Sequence, residues 1–193
     1  NRLVHSQQGE VTGPSTGEYA GCVALLFPGN QGNIVCERHK LSRSPPPPLP
    51  GGYCVGDMLY FTGASQTFDD GDHLVHGQQG EVMGPGTGQN GDCVALLFPG
   101  NKGNLLCELD KLSRSPPPPL PGNYCVGDML YFTGASDTFD HGDRLVYGQQ
   151  GEVMGPGTGE FAGCVAVLFP GNEGNIACLL DSLSRARPRF TSA

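Results

Sequence analysis

Gly77-Gln-Gln-Gly-Glu-Val82, followed by Cys93-Val-Ala-Leu-Leu-Phe-Pro-Gly-Asn101 and a run of prolines, decides the architecture because it recurs. Gln-Gln-Gly-Glu-Val stands at residues 7–11, 78–82 and 149–153. Cys22, Cys93 and Cys164 open the Phe-Pro-Gly-Asn segment at intervals of 71 residues, and Cys36, Cys107 and Cys178 keep the same interval. A period this regular is one structural unit copied in tandem.

Working outward, each unit reads as short strands joined by turns. The run from Cys93 to Phe98 has strand length, Pro-Gly-Asn-Lys-Gly-Asn at 99–104 supplies turn residues, and Leu105-Leu106-Cys107 returns. Apolar run, Gly/Asn turn, apolar run predicts a hairpin, since Gly and Asn accept the positive φ that the turn demands. Upstream, Met58-Leu-Tyr-Phe-Thr62 is a strand rich in apolar and aromatic residues, and Gly63 to Gly77 forms a long polar loop. Leu112-Ser113-Arg114 closes the unit as a short strand or 3₁₀ turn.

The division that follows is a partial unit over 1–43, whose first strand is missing, and complete units over 53–114 and 124–186. Pro-rich linkers occupy 44–52 and 115–123, and a basic tail 187–193. Ser-Pro-Pro-Pro-Pro-Leu-Pro cannot be helix or central strand, because proline lacks the N–H and fixes φ. It reads as polyproline II, a semi-rigid spacer holding the units roughly 20–25 Å apart at about 3.1 Å per residue. The alternative is that Pro45 with Pro48, and Pro116 with Pro119, are Pro-x-x-Pro ligands for an aromatic groove. Thirty-one glycines and 17 prolines in 193 residues support strands and turns over helices. The expected class is all-β: small, strongly bent barrels whose closure removes exposed edges.

Charge limits the partners. Nineteen acidic against 11 basic side chains give a formal charge of −8, which on average repels a phosphate backbone. Only Arg38 to Arg43 and Arg185 to Arg189 approach a basic face. No apolar run reaches the roughly 18 residues a membrane span needs.

Long loop, Gly-Gln-x-Gly-Glu-Val, Val-x-Leu-Phe-Pro-Gly and terminal Leu in that order resemble SH3-like barrels of the KOW and Mib/Herc2 type. The longer strings at 55–65, 77–85, 97–104 and 112–122 resemble tandem repeats abundant in dinoflagellate algal proteins. The first resemblance implies tandem SH3-like barrels, which bind proteins or, in KOW- and Tudor-like members, nucleic acid. The second implies an extrinsic accessory subunit of a photosystem I–antenna assembly, bound peripherally to the thylakoid in the chloroplast.

Candidate chemistry is sparse. Cys22 with Cys36, Cys93 with Cys107 and Cys164 with Cys178 flank their turns and could pair across two strands. A one-residue register slip would instead leave them as thiols on opposite faces. Cys54 and Cys125 have no evident partner. Zinc lacks a Cys-x-x-Cys pair, and Asp69, Asp70, Asp72, Asp140 and Asp143 lack the closing bidentate Glu of a calcium loop. They read as solvated turns. The five histidines change identity between units, and no nucleophile–base set recurs. The reading is therefore a non-catalytic binding or structural protein without metal or cofactor. Its candidate partner contacts are Tyr60, Phe68, Tyr131, Phe139, the linker prolines, Arg187 and Arg189.

Overall fold

The computed structural model describes residues 3–86 and 92–189. Among them the regular structure is β-strand and short 3₁₀ turns, so the chain is all-β. The first unit contributes β1 (Glu10–Pro14), β2 (Val23–Leu26) and β3 (Ile34–Cys36), a three-stranded antiparallel sheet in that order. The second contributes β4 (Met58–Phe61), β5 (Gln66–Thr67), β6 (His73–Leu74), β7 (Gln79–Pro85), β8 (Cys93–Leu97), β9 (Leu105–Glu108) and β10 (Leu112–Ser113). The third repeats them as β11 (Met129–Phe132), β12 (Asp137–Thr138), β13 (Arg144–Leu145), β14 (Gln150–Pro156), β15 (Val165–Leu168), β16 (Ile176–Cys178) and β17 (Leu183–Ser184).

Each complete unit is a five-stranded sheet in the order β10-β4-β7-β8-β9, repeated as β17-β11-β14-β15-β16. Alternation along the strands explains the core. On β4, Leu59 and Phe61 turn inward while Met58 is exposed and Tyr60 half-buried; β7 and β8 alternate in the same way. Phe61 and Phe98 meet edge to face at 6.3 Å, and Phe132 and Phe169 at 6.1 Å. This geometry suits the negative face and positive edge of aromatic rings.

Three expectations need correction. The sheets are not closed barrels: among the described residues no ladder joins β9 to β10 or β16 to β17. The cause is local. A single 3₁₀ turn, 109–111, connects β9 to β10, so β10 swings onto β4 (Leu112 opposite Phe61) instead of lying beside β9. The long loop at 63–77 carries the two-stranded ribbon β5–β6, whose turn is closed by the Phe68 N–H donating to the Asp72 carbonyl at 2.8 Å. Finally, the proline runs do not hold the units apart. Leu49 and Leu120 are buried in the cores of the units that follow them, and the second and third units are hydrogen-bonded to each other. No helix among the described residues is long and apolar enough to cross a membrane.

Candidate interaction site at the unit seam

Most recurring polar side chains hold the unit together. The Arg114 guanidinium lies 4.9 Å over the Tyr53 ring, donates to the Gly52 carbonyl at 3.2 Å and pairs with Asp57 at 3.0 Å. Arg185 repeats this on Tyr124, Asn123 and Asp128. These contacts tie the last strand of each complete unit to the segment that enters its first. The Asp57 carboxylate also accepts the Cys54 N–H at 3.0 Å. That bond first, and the arginine second, hold its pKa below the ordinary value; Asp128 is lowered in the same way by Cys125 and Arg185. Arg43 occupies the equivalent position in the first unit and has no ion pair among the described residues.

The acidic loops divide. Asp72 and Asp143, expected in solvated turns, are only 5% and 6% exposed. Asp72 accepts the backbone N–H groups of Lys102 and Gly103, and Asp143 that of Glu173. Beside Asp72, the Asn101 side chain accepts from the His73 N–H and donates to the His73 carbonyl at 3.0 and 2.7 Å. Together these bonds clip the β5–β6 ribbon to the hairpin turn. Asp69, Asp70 and Asp140 stay exposed. Among the described residues no group of three or more His, Cys, Asp or Glu converges as metal ligands would.

The cysteine alternatives turn on register. Cys107 lies opposite Val94 and Cys93 opposite Glu108; likewise Cys36 faces Val23 and Cys178 faces Val165. Each pair is offset by one residue, which puts its members on opposite faces of the sheet. All eight cysteines are free thiols. Burial pushes the Cys107 and Cys178 thiols up to about 12, so both behave as small hydrophobes.

What remains for recognition lies where two units meet. Gly63-Ala64-Ser65 of the second unit docks on the third unit's β14–β15 ladder, at a β-bulge between Val153 and Gly155. A bulge leaves its extra residue unpaired in the ladder, here Met154. The Met154 carbonyl accepts the Ser65 N–H at 2.7 Å, and the Asn175 side chain donates to the Ser65 carbonyl at 2.9 Å. Any side chain at position 155 would collide with the neighbour's backbone, since a Cβ there would sit 2.9 Å from the Ala64 Cα. Next to this contact lies a hollow of about 340 Å³, lined by Ala64 from one unit and by Phe139, Pro156, Phe161, Ala166 and Ile176 from the other. His141 stacks on Phe139 at 5.7 Å and points Nε2 at Asp143, 3.3 Å away.

Of the expected contact residues, Phe139 lines this hollow. Phe68 is 36% exposed, Tyr60 and Tyr131 are half-buried, and Pro45, Pro48, Pro116, Pro119, Arg187 and Arg189 are exposed. The basic stretch at 38–43 is partly neutralised, with Lys40 2.8 Å and His39 3.5 Å from Glu37. Sequence reasoning missed the seam residues Ser65, Gly155 and Asn175 and the Arg114–Tyr53–Asp57 set. The signal available for them was recurrence at the repeat period, of Ser65, Gly155 and Asn175 as of Tyr53, Asp57 and Arg114. No known protein family matches the sequence, and no curated protein is significantly similar to it.

Proposed function

We propose that the chain is a non-catalytic, protein-binding repeat protein, a scaffold or accessory subunit whose units are SH3-like. The order with the last strand returned beside the first supports the SH3-like reading. One observation carries the function. Recurring polar side chains such as Asp57, Asp72, Asn101 and Arg114 close their unit, while the seam keeps a hollow with a mainly apolar lining and Phe161 at its edge, 50% exposed. A hollow of this size suits an apolar side chain of a partner, because apolar area removed from water is the principal favourable term in association. Several units on one chain can engage a partner that offers repeated sites, which multiplies weak contacts into avidity.

In its most concrete form, which rests on the resemblance alone, the assembly is a dinoflagellate photosystem–antenna complex and the chain an extrinsic thylakoid subunit. The test is gentle native purification combined with a photo-crosslinking residue at position 161. One defined protein linked through that position, and co-migrating with the chain, is the expected result. Crosslinking to nothing, or co-purification with RNA in place of protein, overturns the proposal.

A further inference from the structure

The seam between the second and third units uses groups that the 193 residues present again, exposed, at 12, 33, 135 and 136. We propose that a second copy of this chain docks head to tail through these groups. Gly134-Ala135-Ser136 of one copy would sit on the bulge at Thr12-Gly13-Pro14 and on Asn33 of the next. Counted by the repeat period, Ser136 corresponds to Ser65, Thr12 to Met154, Gly13 to Gly155 and Asn33 to Asn175.

Three observations carry this. Both surfaces have their docked shape already. Ser136 Oγ accepts the Tyr147 N–H at 2.9 Å, as Ser65 Oγ accepts the His76 N–H at 2.9 Å. The first unit has the same ladder irregularity, between Val11 and Gly13, that the third has between Val153 and Gly155. Preformed surfaces lose little conformational entropy on contact.

Second, exposure differs as docking requires. Ser65 is buried at 5%, whereas Ala135, Ser136, Thr12 and Asn33 are exposed and Val146 is 44% exposed. Third, the hydrogen bonds at the seam come from backbone groups and one asparagine side chain, so replacing Met154 by Thr12 changes neither. The same faces also meet at the other junction. His5, which corresponds to His76 beside the Gly63–Ser65 segment, lies so that a Cβ on Gly84 would be 3.3 Å from its own Cβ.

The two surfaces are different patches, so the contact is heterologous and each added copy presents a fresh end. A contact this small is weak, in the class of transient encounters. The inference does not depend on the binding of other proteins proposed above. The test is sedimentation equilibrium over rising concentrations, up to the order of 1 mM, where weak association becomes visible. The wild-type mass is expected to climb past that of a dimer without a plateau. Ala135→Arg and Asn33→Arg, both at exposed positions, are each expected to stay monomeric with unchanged circular dichroism. Their equimolar mixture pairs one to one, since each keeps the surface that the other lacks. Asn33→Ala weakens association about fivefold to tenfold, the loss of one hydrogen bond.

A wild-type chain that is monomeric throughout overturns the proposal, as does a mixture that fails to pair. Association that Ala135→Arg leaves untouched overturns it too, and places the contact at the open edge of β1.

Discussion

Val11, Val82 and Val153 hold the same place in their units, yet Val11 is 63% exposed and the other two are wholly buried. The sequence around them is nearly identical, so the difference lies in what covers the strand. β7 and β14 are flanked by β4 and β11, which carry Leu59 and Leu130 into the core; among the described residues β1 pairs only with β2. The first unit accordingly buries Leu25 and Phe27, whereas the second assembles a cluster that also includes Leu59, Phe61, Val82 and Leu112. The hairpin of each unit is therefore locally encoded, and the core is the product of the added strand.

The largest test of that contrast is thiol reactivity at one repeat position. Cys36 is half-buried, but Cys107 and Cys178 are buried with their pKa pushed up to about 12. Only the thiolate reacts, so near pH 8 both should be modified about 1,000-fold more slowly than an ordinary thiol. Mass spectrometry after timed alkylation should show Cys36 modified well before Cys107 and Cys178. Equal rates at all three would break the comparison. Next in size is truncation of the valines. Val82→Ala should destabilise the second unit by about 1.5–3 kcal/mol, close to the value of burying a valine. Val11→Ala should fall within about 0.5 kcal/mol of wild type, as surface changes do. Hydrogen exchange resolved by unit separates the two.

A smaller effect is expected at Ser6. It has φ 66°, where Gly77 and Gly148 have 80° and 78°. A side chain in this left-handed region is strained, which glycine avoids. Ser6→Gly should stabilise the first unit by about 1 kcal/mol and Gly77→Ser should weaken the second by a similar amount. Both would be read from the same exchange experiment. Similar behaviour of the two variants would mean that the turn is not strained by its side chain.

These contrasts also show what could be read in advance. The hairpins were legible because period-2 burial and Gly/Asn turns are local, and Phe61 rather than Tyr60 faces inward as alternation allows. The all-β class followed from the same signals. Barrel closure failed because it depends on whether β10 reaches β9 or β4, a choice made by one 3₁₀ turn. Spacing by the proline runs failed because Leu49 and Leu120 are core residues of the next unit, and composition does not report where a leucine is anchored. The seam was illegible for a deeper reason. Its hydrogen bonds use the Ser65 and Met154 backbones, which have no sequence signature, and the Asn175 side chain, whose recurrence at 33 and 104 does not by itself mark a seam.

The smallest effect tests whether the arginine clamp belongs to the complete units alone. Asp57 and Asp128 have their pKa depressed below 3.8, first by the backbone N–H of Cys54 and Cys125 and then by Arg114 and Arg185. A carboxylate with a lower pKa folded than unfolded contributes stability that is fully present above the unfolded value and is lost as pH falls through the folded one. The clamp should therefore weaken only below about pH 4, and modestly, because solvent screens an exposed pair. Asp57→Asn with Asp128→Asn keeps an acceptor for the cysteine N–H groups but removes the titrating charge. The unfolding midpoint of this variant should decline less steeply than that of wild type from pH 5 to pH 2. Exchange within residues 3–43 should be the same in both, since Arg43 has no carboxylate partner to lose. An acid response that survives both substitutions would show that the clamp is not its source.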